Sequence, residues 1–129
     1  PYVLYDLVLY IPRMLMNVNG RGVAAARAVY PDIALTDTLL VHDELQRAFG
    51  KVSLKQGGSA AGHNGVKSVQ HHLGNDVPRI RIGIDRPLDG NVSAYVLGSM
   101  PPDWLETCAH GEVLERLWST LQTWCLSRT

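Results

Sequence analysis

The chain has 129 residues, 46% of them hydrophobic and 19% charged, and its 12 basic residues balance its 12 acidic ones. That composition fits one globular domain with a real core and excludes a disordered, fibrous or membrane-spanning chain, since no apolar run reaches the roughly 20 residues a span requires. Two cysteines are too few for a disulfide framework and point to a reduced compartment, while zero net charge leaves nucleic-acid binding to local clustering.

Residues 2–11 are apolar, β-branched and aromatic, and predict a buried strand stopped by Pro12. A helix starts at Asn17 or Asn19, since asparagine caps well. Val18, Gly22, Ala25 or Ala26, and Val29 give it a narrow face suited to lying on a sheet. Pro31-Asp32 ends it. A strand follows over residues 38–42, a bend at Gly50, and a strand over 51–55 with Val52 and Leu54 inward. Residues 57–65 read Gly-Gly-Ser-Ala-Ala-Gly-His-Asn-Gly. Four glycines in nine residues predict a loop whose backbone comes close to something. A helix over 65–73 follows, with Val66, Val69 and Leu73 at helical spacing, and Gly74-Asn75-Asp76 stops it. Residues 79–84 alternate, isoleucines on one face and Arg79 and Arg81 on the other. Val92, Tyr95 and Val96 form a short helix before Gly98. Pro101-Pro102 starts a last helical region that Gly111 divides. The order predicts a single three-layer α/β domain over residues 1–129, a mixed sheet flanked by helices.

Asn17, Asp43, His63 and Asn64 each stand at a predicted element end, where open α/β sheets bind ligands. A carboxylate near an imidazole fixes its tautomer and raises its basicity. Asparagine amides hold a carbonyl oxygen or a water. Together they predict a surface cleft for hydrolysis by an oriented water. Each also has a plainer reading. Asn17 alone reads as a helix cap, and Asp43 alone as a turn cap. His63, wrapped in glycine, has no ordinary structural reading and favours chemistry. His42, Asp43, His63, His71 and His72 supply ligand types for a metal but match no zinc spacing, so no metal is expected. The glycine loop lacks both nucleotide-binding spacings. Cys108 and Cys125 read as core, and Trp104, Trp118 and Trp124 as packing or interface residues. Lys55, Lys67 and Arg81 are placed beside the glycine loop. They read either as solvated surface or as a patch for phosphates.

Met16-Asn17-x-x-Gly20, Val41-His42-Asp43-Glu44-Leu45, Gly50-Lys51-x-x-Leu54-Lys55-x-Gly57-Gly58, Gly62-His63-Asn64-Gly65-Val66-Lys67-Ser68 and Arg79-x-Arg81-x-Gly83-Ile84-x-Arg86-Pro87 occur in this order, followed by Tyr95-Val96-Leu97-Gly98. This set resembles the bacterial-type peptidyl-tRNA hydrolases, over about residues 5–100. The resemblance implies cleavage of the ester between a peptide and the ribose of tRNA, with no metal or cofactor. It gives Asn17 and Met16 to substrate binding and pairs Asp43 with the family's catalytic histidine. His63 and Asn64 would line the site, Asn64 holding the peptide or an ordered water. Lys55 and Arg81 would take tRNA phosphates. Ser53 stands where the family has a further lysine, which implies a weaker clamp.

The family opens with a strand and a short segment that carries its general-base histidine, and neither precedes Tyr2 in this sequence. The chain is therefore expected to be incomplete at its N-terminus. By itself it is expected to bind tRNA poorly and to cleave peptidyl-tRNA at a very low rate. The alternative is a catalytically inactive relative that binds RNA, associated with the ribosome or with RNA processing. tRNA is the expected partner, with the ribosome as a further one, in a monomer that contacts no membrane. The compartment expected is mitochondrial or cytoplasmic.

Overall fold

A computed structural model describes residues 6–128. The chain is α/β, a mixed sheet flanked by helices. It divides into two compact units.

The first unit comprises residues 6–40 and Gln56–Pro78, with Arg128. A 3-10 turn, Met16–Val18, leads directly into α1, Asn19–Val29. Neither carries a side-chain cap, so the capping role expected of Asn17 or Asn19 is not used. α1 packs in this unit against a second helix, α2, Asn64–Leu73. Its buried residues are Gly20 and Gly22, whereas Val29 is 71% exposed, so the expected face is shifted. The reason is close approach. A methyl group on Gly20 would lie 2.1 Å from the Ser68 carbonyl oxygen, and one on Gly22 would lie 2.7 Å from the Tyr10 hydroxyl. Ala60, Val66, Val69 and Val77 form the buried core here.

The strand expected over residues 2–11 is not seen in its described part. Residues 6–11 have no regular secondary structure, and Leu9 and Ile11 are 85% and 83% exposed. Residues 2–5 lie outside the described residues. Strand propensity is a preference for a pleated surface with neighbours, and among the described residues no strand pairs with this segment.

The glycine loop is latched to the turn that ends α2. The Gly58 N–H donates to the Asn75 carbonyl at 3.0 Å, and Gln70 Nε2 donates to the Gly58 carbonyl at 2.7 Å. Gly57, at φ +94°, has its missing side chain aimed at Asn75 and Asp76, where a methyl would meet backbone at 2.6 Å. The object the loop approaches is this turn.

The second unit comprises Val41–Lys55 and Arg79–Ser127. Its strands are β1 (Leu40–Glu44), β2 (Val52–Lys55) and β3 (Arg79–Gly83), in the order β1-β3-β2. β2 and β3 are antiparallel, pairing Val52 with Ile82, Ser53 with Arg81, Leu54 with Ile80 and Lys55 with Arg79. β1 begins and ends two residues later than its sequence pattern indicates, because pairing with β3 sets its bounds. Gly83 sits where a methyl would lie 2.0 Å from the Ala48 carbonyl oxygen, so the connection between β1 and β2 crosses directly over it. Helices α3 (Val92–Leu97), α4 (Pro102–His110) and α5 (Glu112–Leu126) follow. Gly111 divides the last two as expected, and Thr107 Oγ1 accepts from the Val113 N–H at 3.3 Å to cap α5. α5 packs on β2 and β3, and Ile80, Val113, Trp124 and Cys125 are buried in this unit.

Candidate active site

His63 is the N-cap of α2. Its backbone is extended, at φ −71° and ψ 111°, and its Nδ1 accepts from the Val66 N–H at 3.1 Å. Serine, threonine, aspartate and asparagine usually do this, so a capping histidine is not legible from residue type. His63 therefore has the structural role that its glycine setting seemed to deny. The bond also fixes the ring chemistry. With Nδ1 accepting, the neutral imidazole carries its proton on Nε2. In that tautomer Nε2 is the ring's donor.

Asn64 is the first residue of α2 and is exposed. Beside this turn stands the 3-10 turn that carries Met16 and Asn17, both exposed. The two turns meet over Gly65. A methyl there would lie 2.9 Å from Met16 Cγ, 3.0 Å from His63 Cε1 and 3.2 Å from Asn19 Nδ2. Only glycine lets the turns approach this closely. The first unit thus brings the Met16–Asn17 turn to His63 and Asn64. Asn19, read from sequence only as a cap, is part of the same cluster, and its Oδ1 is buried without a hydrogen-bond partner. Lys67, exposed on α2, donates its N–H to the His63 carbonyl at 3.0 Å.

Asp43, Lys55 and Arg81 belong to the second unit. Asp43 lies within β1, one residue before its end, and is half-buried. Its carbonyl oxygen is 2.7 Å from His42 Nδ1. Lys55 ends β2 opposite Arg79, and Arg81 stands opposite Ser53. Directly opposed residues, and residues two apart, share a sheet face. Lys55, Arg79 and Arg81 are therefore on one face and the isoleucines on the other, as the alternation predicts.

Exposure breaks the pattern at one position, for Arg79 is only 3% exposed. Burial lowers its pKa most, Arg81 lowers it further, and Glu44 opposes both. Arg81 is lowered by burial and then by Arg47, again against Glu44. Arg47 was not singled out from sequence, since it falls in a turn between strands. Glu44 thus acts on both Arg79 and Arg81, and Arg47 acts on Arg81.

Among the described residues no three histidine, cysteine, aspartate or glutamate side chains gather as a metal-binding group. Both cysteines are free. Cys125 is buried, while Cys108 is half-buried with its thiol pKa raised by burial. Trp124 is buried, Trp104 stacks on Phe49 at 3.9 Å, and Trp118 is exposed. No described helix is long and apolar enough to cross a membrane.

The fold is similar to that of a solved peptidyl-tRNA hydrolase from Acinetobacter baumannii. The TM-score is 0.62 at 38% identity, over 70% of this chain and 46% of that one. The sequence pattern of the family described as peptidyl-tRNA hydrolase matches residues 4–128. The chain belongs to the peptidyl-tRNA hydrolase family. It is 47% identical over 100 residues to a peptidyl-tRNA hydrolase of Pelobacter propionicus, covering 77% of this chain and 51% of that protein. A Mus musculus relative is 50% identical over 100 residues, 76% of this chain and 48% of its own length. The chain spans about half the length of these curated relatives.

Proposed function

We propose that the protein carrying this chain hydrolyses the ester between a peptide and the ribose of tRNA, releasing tRNA for reuse in translation. The observation that carries this reading is the pair of turns meeting over Gly65. It sets the turn that carries Asn17 beside the turn that carries His63 and Asn64, with His63 Nδ1 accepting and its Nε2 left as the donor of the neutral ring. Such groups hold a carbonyl or a water in place without forming a covalent intermediate.

Asn17 and Met16 bind and orient the substrate. Asn64 holds the peptide or the attacking water. His63 lines the site as a hydrogen-bond donor, and Asp43 supplies the carboxylate partner of the family's general-base histidine. Lys55 and Arg81 take tRNA phosphates, supported by the positive charge of their sheet face, and Lys67 takes another. The ribosome is a further partner of a monomer acting in mitochondria or cytoplasm, where translation supplies the substrate.

Steady-state hydrolysis of N-blocked aminoacyl-tRNA by the full protein tests these roles. Asn64→Ala and Asn17→Ala are expected to lower kcat/KM by about 100-fold, the scale of losing one positioned donor. Unchanged kcat/KM in both variants would remove the site from this cluster. tRNA binding without turnover in the wild type would favour an RNA-binding relative that has lost the reaction.

A further inference from the structure

α1 begins without a cap of its own. Val18 occupies its N-cap position and offers no side-chain acceptor. The first N–H groups of a helix have no partner within the helix. One of them, the Gly20 N–H, donates to Ser68 Oγ of α2 at 2.9 Å, across 48 residues of sequence. A serine inside a helix usually bonds back into its own helix. This one accepts from the start of another.

The register of that bond bears on the site. Ser68 is four residues beyond Asn64, so the two share a face of α2 one turn apart. Gly20 is three residues beyond Asn17, again about one turn. The bond therefore ties α1 to α2 one turn behind both carboxamides. Backbone contact reinforces it, since a methyl on Gly20 would overlap the Ser68 carbonyl oxygen at 2.1 Å and press on the His72 ring at 2.9 Å. Ahead of the bond, Met16 and Asn19 close on Gly65.

We propose that Ser68 is a positioning residue: its hydroxyl caps α1 through the Gly20 N–H and so sets the spacing between the Met16–Asn17 turn and the His63–Asn64 turn. The catalytic consequence rests on the function proposed above; the spacing does not. Removing the hydroxyl lets the start of α1 slide on α2, and two groups meant to grip one substrate lose register. A shared grip of this kind is felt in substrate binding more than in the chemical step.

The experiment uses the full protein with Ser68→Ala, which deletes the acceptor, and Ser68→Thr, which keeps it. In amide NMR spectra, Ser68→Ala should shift the Gly20 backbone signal and the Asn17 and Asn64 side-chain signals, and Ser68→Thr should return them. In hydrolysis of N-blocked aminoacyl-tRNA, Ser68→Ala should raise KM about fivefold, the usual weight of one helix cap. The kcat should stay within about twofold, and Ser68→Thr should restore KM. Shifts confined to Gly20, with KM unchanged in an active wild type, would overturn the proposal. So would a fall in thermal stability with no change in KM, since that marks a purely structural serine. If the wild type shows no turnover, the functional reading fails by itself. The side-chain shifts and their return in Ser68→Thr then decide the positioning claim.

Discussion

His63 uses its two ring nitrogens for different ends. Nδ1 ends the unsatisfied first turn of α2, and Nε2 keeps the proton. The two roles separate by mutation. His63→Ala should cost about 1 kcal/mol of stability through the lost cap, as well as activity. His63→Asn supplies a good capping side chain without the imidazole donor. It should restore stability in thermal or urea unfolding while leaving activity low. Equal stability of the wild type and His63→Ala would show that the cap contributes nothing. A second residue-scale test concerns Tyr95, whose hydroxyl donates to the Ile84 carbonyl. Burial raises its pKa above the ordinary 10.0, and Asp85 raises it further. The folded state thus holds this proton more tightly than the unfolded chain does. The resulting stability is complete below pH 10.0 and is lost as pH rises from there through the folded pKa. Tyr95→Phe should flatten the alkaline limb of the stability profile and cost about 1 kcal/mol at neutral pH for the lost bond. An unchanged alkaline limb would contradict the assignment.

At the scale of elements, close backbone approach decides where helices and strands meet. Gly20→Ala should destabilise by about 1–3 kcal/mol, the usual cost of overpacking. Here the obstructing atom is a carbonyl oxygen that cannot turn away. Ile80, fully buried on β3, should cost about 2–5 kcal/mol as Ile80→Ala. Urea unfolding of each variant checks both values. These sites also show how far the elements were legible in sequence. The helices after Gly62 and Pro101, and the break at Gly111, could be read because glycine, proline and helical spacing act locally. The alternation of Arg79, Ile80, Arg81 and Ile82 gave the correct faces. It could not give the burial of Arg79, which depends on what covers a face. Residues 6–11 have strand propensity, but among the described residues no strand lies beside them to realise it. The α1–α2 crossing depends on Gly20 and Ser68, 48 positions apart. The cap at His63 was hidden because histidine lies outside the usual capping set. Asn17, His63 and Asn64 were visible as polar groups at element ends, whereas Asn19 was read only as a cap, because its place in the cluster depends on the approach of the two turns over Gly65.

Across the whole molecule a formal charge of zero conceals one basic sheet face. Phosphate contacts made there release counterions, and each should add about 0.7–0.9 to the slope of log affinity against log salt. Lys55→Ala should flatten that slope by nearly one, and adding Arg81→Ala by about one more. Filter binding of tRNA across a salt series measures both, and an unchanged slope in the double variant would leave these residues as ordinary solvated surface.

Family membership rests on a match over residues 4–128, and the central claim that follows is chemical. The most direct test gives the full protein tRNA carrying a radiolabelled, N-blocked aminoacyl ester and separates released acid from intact tRNA. The account predicts multiple turnovers, with the tRNA recovered whole and its 3′-ribose hydroxyl free. Tight, salt-sensitive tRNA binding with no release of the labelled acid would contradict it.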